Sequence, residues 1–150
     1  MIEGFSNETS AFDDRSIDDV YREIRGAYER YPQPFVIGYS GGKDSTAVLQ
    51  LVWKAIETLP LTERSKPVFV LAADTGVETP TIISLIEGTL HRINERAKAT
   101  DMPFHAQKVV PTLSDSYWVN LIGRGYPAPT YASCKYWCAV RFQVSPHLLL

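Results

Sequence analysis

Six residues, Ser40-Gly41-Gly42-Lys43-Asp44-Ser45, join a short apolar run, Phe35-Val36-Ile37-Gly38-Tyr39, to a stretch of helical period. This junction limits the possible folds more than any other part of the chain. The apolar run is bounded by turn residues and reads as a buried strand. Val48, Leu51, Val52, Ala55 and Leu59 then recur at helical spacing. The same alternation continues downstream. Pro67 opens a second strand, Val68 to Ala73. Thr79-Pro80 is an N-cap followed by proline at the first helical position. The helix behind it carries Ile82, Ile83, Ile86, Leu90, Ile93 and Ala97. A third strand fits Phe104 to Val110, and a short helix is expected from about Ser114 to Ile122. Upstream, Ser16 and Asp19 form a variant capping box. Ile17, Val20, Tyr21, Ile24, Ala27, Tyr28 and Tyr31 make the apolar face that follows, and Pro32 and Pro34 end it. Strands alternating with helices predict an α/β fold with a parallel sheet. In such sheets ligands bind beyond the C-terminal strand ends. Ser40–Ser45 and Asp74-Thr75-Gly76 both fall there.

The chemistry of the loop points to an anion. Gly41 and Gly42 let backbone N–H groups approach closely. A helix beginning near Asp44 aims its positive end at the same place. Lys43 adds a point charge suited to phosphate, and Ser40 and Ser45 add hydroxyl donors. Asp44 repels an anion but can hold Mg²⁺, which prefers carboxylate oxygen and water. The P-loop of kinases and GTPases is excluded, because it needs four residues between its glycines and Ser or Thr after the lysine. Here three residues separate Gly38 from Gly42, and Asp44 follows Lys43. The competing reading is a strand-to-helix turn that merely uses glycines. It leaves Lys43 and Asp44, between two serines, without a role.

Composition narrows the setting. A chain of 150 residues builds one domain with a real core. Residues 1–15 show no period and are expected to be a mobile arm, with the domain over 16–150. No apolar run reaches the roughly 20 residues that span a bilayer. The N-terminus lacks the pattern of a signal peptide, so a cytoplasmic protein is expected. The two cysteines, Cys134 and Cys138, are then not a disulfide, and taken alone they read as small buried hydrophobes. Residues 1–30 hold eight acids against four bases, whereas from Ser116 to Leu150 there are three bases and no acid. The acid-free stretch suits a polyanionic partner, although three bases are few.

Ser-Gly-Gly-Lys-Asp-Ser after a first strand is similar to the PP-loop of the ATP pyrophosphatase superfamily. Phe35 to Trp53, FVIGYSGGKDSTAVLQLVW, resembles the DndC sulfurtransferases of bacterial DNA phosphorothioation. So does Ser116 to Pro129, SYWVNLIGRGYPAP, a more specific stretch than the loop. Asp74-Thr75 agrees with the PAPS reductase-like branch, and the likeness covers roughly residues 15 to 146. A family motif of the form F-R-W-C-T-x-R-x-K-x-x-P is matched at Trp137, Cys138, Arg141 and Pro146. Ala139 and Gln143 depart from it.

The resemblance implies a Rossmann-like (adenine nucleotide α-hydrolase-like) fold, with helices on both faces of the sheet. It implies that Ser40 to Ser45 hold ATP, with Lys43 and Asp44 catalytic, Asp44 on Mg²⁺, and Asp74 and Arg141 beside the nucleotide. It further implies DNA as the substrate to be adenylated, a cysteine desulfurase as sulfur donor, and other phosphorothioation subunits as partners. The family cysteine at the position of Cys138 ligates a 4Fe–4S cluster. Such clusters take four thiolates, more than this chain holds, so the cluster is expected only in a longer protein. Two readings stand beside each other: a truncated form of a longer enzyme, and a short homologue that keeps only nucleotide binding. A PAPS reductase-like enzyme is the rival chemistry. Trp118, Tyr126, Tyr131, Tyr136 and Trp137, interleaved with Arg124 and Lys135, suit either base stacking on single strands or packing. Asp74 is also readable as a turn residue, Arg124 and Arg141 either as contacts to phosphate of ATP or DNA or as solvated bases, and Glu78 as a helix-start acid. His91, His105 and His147 have no metal-site spacing.

Overall fold

The computed structural model describes residues 15–125. The expected arm therefore lies outside the described residues, apart from Arg15, as do Arg141, Cys134 and Cys138. The chain runs α1 (Ile17–Arg30), β1 (Phe35–Gly38), α2 (Lys43–Glu57), β2 (Val68–Ala73), α3 (Pro80–Ala99) and β3 (Phe104–Val109). The strands form one parallel sheet in the order β1-β2-β3. Its register pairs Ile37 with Val70 and Val70 with Ala106. This is a Rossmann-like α/β arrangement, as the alternation of elements predicted.

Local chemistry sets the element ends. The Ser16 hydroxyl accepts from the Asp19 N–H, and the Asp19 carboxylate accepts from the Ser16 N–H, so the capping box forms. Pro80 starts α3, but the Thr79 side chain makes no capping bond. Helix α2 begins at Lys43 with Gly42 as its N-cap, again without a side-chain cap.

The core lies between the sheet and the helices. Ile37, Val68, Val70, Ala72, Phe104 and Ala106 are buried with Leu49, Val52 and Ile56 of α2 and Ile86, Leu90 and Ile93 of α3. Trp53 of α2 lies 4.5 Å from the ring of Phe104. Alternate strand positions face the other way, and there Val36, His105 and Gln107 are exposed. The two-sided covering that the resemblance implied is thus seen on one face among the described residues. Tyr28 ties α1 to this core. It is 1% exposed, donates to the Lys66 carbonyl at 2.6 Å and accepts from the Lys66 N–H at 2.9 Å. Its burial pushes the phenol pKa up.

Strand β3 is the sheet's edge among the described residues, and α3 closes it. Asn94 Nδ2 donates to the Ala106 carbonyl, and Asn94 Oδ1 accepts from the Ala106 N–H, both at 2.8 Å. The side chain supplies the bonds a further strand would make. Asn94→Ala strands both backbone groups and is expected to cost about 1–3 kcal/mol. Urea unfolding of the variant checks this.

After β3 the expected helix from Ser114 to Ile122 is replaced by two shorter pieces. A 3₁₀ turn spans Leu113–Asp115 and a π-helical turn spans Val119–Gly123. Ser116 between them is extended, at φ −62° and ψ 149°. That break prevents one continuous helix, and the Ser116 carbonyl instead accepts from both Asn120 N and Asn120 Nδ2.

Candidate nucleotide site at the C-terminal strand ends

Three pieces of chain follow the C-terminal ends of the strands. The first is Ser40–Ser45. Gly41 holds φ +76°, a left-handed conformation that side chains resist. A Cβ on Gly41 would stand 3.4 Å from Ile86 Cγ1 of α3. The loop is therefore seated against α3, and Ile86 is a contact the sequence did not reveal. Ser45 Oγ accepts from the Ser40 N–H at 3.3 Å and donates to the Gly42 carbonyl at 3.1 Å. The Ser40 and Ser45 hydroxyls lie 3.2 Å apart. Both serines thus fasten the loop to the first turn of α2.

Among the described residues, the backbone N–H ladder of α2 starts only at Thr46, which donates to the Gly42 carbonyl at 3.1 Å. The N–H groups before it are the orphan donors of a helix start. They sit beside two glycines without a capping side chain, which is the form an anion site takes. Lys43 Nζ and Asp44 Oδ1 pair at 3.0 Å, with side chains 92% and 89% exposed. A pair this exposed separates at little cost, so ammonium and carboxylate are both available to an incoming ligand. The donors, the cation and the open approach fit the phosphates of ATP. One exposed carboxylate fits Mg²⁺, which keeps several waters and takes its remaining oxygens from phosphate. No group of three or more His, Cys, Asp or Glu able to hold a metal occurs among the described residues.

The second loop follows β2. Asp74 Oδ1 accepts from the Gly76 N–H at 2.9 Å, and Oδ2 pairs with Lys108 Nζ at 3.2 Å. Lys108 also holds Glu87 of α3 at 2.7 Å. Glu78 closes the loop from below, accepting from Thr75 Oγ1 at 2.5 Å and from Thr75 N at 3.1 Å. Glu78 is thus a loop fastener as well as an acid near a helix start. Asp74, expected beside the nucleotide, stands at the right strand end with both oxygens already engaged. Lys108 was missed by sequence reading, although a signal existed. It shares strand parity with Phe104 and Ala106, so a charge sits at an inward position.

The pKa values of this network follow its contacts. The Gly76 N–H holds the Asp74 carboxyl below its ordinary value, Lys108 assists, and burial opposes. Glu87, then Asp74, raises the Lys108 ammonium. The depressed carboxyl adds stability that is complete above its ordinary value of 3.8 and is lost as pH falls through the folded value. The raised ammonium adds stability that is complete below its ordinary 10.5 and is lost as pH rises through the folded value. The cluster is therefore whole across the neutral range. Asp74→Asn is expected to flatten the acid limb of the stability curve below about pH 4. Melting temperature against pH checks this. An unchanged acid limb would show that Asp74 is not the titrating group.

The third piece is the segment after β3. Trp118 Nε1 donates to the Gly76 carbonyl at 3.2 Å, so Ser116–Gly123 docks on the β2 loop. Trp118 as a whole remains 53% exposed. Arg124 donates to Asn120 Oδ1 at 3.0 Å, and Asn120 is 2% exposed. Arg124 thereby braces this turn.

The chain is 27% identical, over 115 residues, to an uncharacterized protein of Methanocaldococcus jannaschii. That alignment takes in 77% of this chain and 20% of the relative. No family model matches the chain, and no solved structure matches it. Among the described residues no helix is long and apolar enough to cross a membrane. Arg141 and the two cysteines lie outside the described residues, so the site is built here from Ser40 to Ser45, the Asp74–Glu78 loop and Trp118.

Proposed function

We propose that this chain carries the nucleotide-binding part of an ATP pyrophosphatase that adenylates the DNA backbone ahead of sulfur incorporation. The observation that carries the nucleotide half is the uncapped start of α2 behind Gly41-Gly42, with Lys43 exposed beside it. The DNA half rests on the resemblance of Ser116–Pro129 to the DndC sulfurtransferases of the PAPS reductase-like branch. The docking of Trp118 on the Asp74–Glu78 loop supports this half, because it brings that segment to the loop end where the nucleotide is expected.

In this reading a non-bridging oxygen of a DNA phosphate attacks the α-phosphorus of ATP. The bond from that phosphorus to the α,β-bridging oxygen breaks, and pyrophosphate leaves with the electron pair. AMP stays on the DNA until sulfur displaces it. The N–H groups at the start of α2 and the Lys43 ammonium stabilise the charge that grows on the leaving pyrophosphate. Mg²⁺, held by Asp44 and phosphate oxygens, would neutralise the same charge. Ser40 and Ser45 keep the loop shaped for this. Cys138 is the residue that would ligate a cluster in a longer protein. Sulfur would come from a cysteine desulfurase, with other subunits on the DNA.

The test is pyrophosphate release from ATP, measured with and without DNA. Release that DNA stimulates supports the reading. Sulfite formed from PAPS without ATP cleavage would replace it with the reductase chemistry. ATP binding without release at any protein concentration would replace it with a nucleotide-binding module.

A further inference from the structure

The outer side of the helix layer carries a groove that the nucleotide reading does not use. Its volume is about 570 Å³, and it runs across α2 between α1 and α3. Ile17 and Tyr21 of α1 and Leu51 and Trp53 of α2 give it an apolar floor. Lys54, Arg92 and Arg96 give it a cationic margin, and no acid lines it among the described residues. Arg92 and Arg96 are exposed and lie one helical turn apart on α3. Glu57, beside the groove, pairs with Lys54 at 2.8 Å and is also drawn to Arg96, so three cations share one nearby carboxylate and the margin stays net positive.

The complement of this groove is present in the same chain. Residues 1–14 contain Glu3, Glu8, Asp13 and Asp14 and no lysine or arginine. They also contain Ile2, Phe5 and Phe12. This segment meets the described fold at Arg15, two residues before Ile17, which itself lines the groove. Fourteen extended residues reach roughly 46 Å, while Thr89 to Arg96 on α3 rise only about 10 Å. A tether this short gives an effective concentration on the order of millimolar. Weak apolar and ionic contacts are then sufficient for occupancy.

We propose that residues 1–14 fold back onto this groove, seating Phe5 or Phe12 on the apolar floor and their carboxylates against Arg92 and Arg96. The interaction is within one chain and does not depend on the nucleotide reading. Lys54 is the only amine lining the groove among the described residues, which makes zero-length carbodiimide cross-linking of the full chain a direct test. A link between Lys54 and an acid of residues 1–14, read by mass spectrometry, is expected at low salt. It is expected to fall about fivefold or more in Arg92→Glu/Arg96→Glu, and likewise in half-molar salt. Asp13→Asn/Asp14→Asn, which leaves the helices untouched, is expected to lower it too, so the test survives if the charge reversal unfolds α3. Mixing isotope-labelled and unlabelled chains identifies the occupant. Links confined to one chain support the proposal. Links between labelled and unlabelled chains overturn it in favour of a second copy. Absence of the link, or a link indifferent to both variants and to salt, overturns it as well.

Discussion

Lys43→Ala is expected to reduce pyrophosphate release from ATP by about 10²–10³-fold in a preparation that turns over, while leaving the unfolding midpoint nearly unchanged. The two halves of this expectation have different origins. Among the described residues the Lys43 ammonium pairs with Asp44, at 3.0 Å, and its side chain is 92% exposed. Exposed pairs of that kind contribute about 0–1 kcal/mol to stability. Against the leaving pyrophosphate the same ammonium acts on charge that grows along the reaction, where one lost donor costs about 2.7–4 kcal/mol. The effect on turnover therefore exceeds the effect on folding severalfold. Lys43→Arg refines the result, because a planar fork on a longer reach does not replace a compact point charge. It should restore part of the binding and less of the rate. Release that is unchanged in Lys43→Ala would sink the assignment of the loop. A midpoint that falls with the rate would make Lys43 a structural residue.

Much of the frame was legible because short-range physics decided it. The Ser16–Asp19 capping box, the Pro80 helix start and the three strands each answer to residues within a few positions. The Ser40–Ser45 loop was legible for the same reason, since glycines, lysine and helix start are contiguous. What escaped depends on contacts distant in sequence. Ile86 supports Gly41 from α3. Lys108 of β3 bridges Asp74 and Glu87, 34 and 21 positions away. Asn94 closes β3 across 12 positions. No local pattern marks such residues, except that Lys108 stands where strand parity asks for an apolar side chain. The helix expected from Ser114 to Ile122 fell to a similar cause. The docking of Trp118 on Gly76 and the extended Ser116 belong to tertiary structure, and helical spacing alone does not report them.

Gly41→Val carries the second large expectation: nucleotide binding weakened more than about tenfold, with stability lowered by about 1–2 kcal/mol. Gly41 sits at φ +76°, where a β-branched residue is a genuine outlier. Its Cβ would also stand 3.4 Å from Ile86 Cγ1 before either methyl is added. The backbone must then leave the left-handed region, and the N–H groups at the start of α2 lose their common direction. Gly42→Ala separates this effect from simple crowding of the ligand. Gly42 lies at φ −81° and ψ 168°, which any residue adopts, and its Cβ would meet only Ser40 Oγ at 3.5 Å. Gly42→Ala should therefore fold normally. If it binds ATP normally too, conformation at Gly41 governs the site. If it folds normally yet loses ATP, the phosphates approach the backbone too closely to admit a methyl. Adding Ile86→Ala to Gly41→Val relieves the contact and leaves the φ penalty, so binding should recover only in part. Calorimetric titration of each variant with ATP and Mg²⁺ measures these differences. Wild-type affinity in Gly41→Val would show that the nucleotide does not rest on this loop.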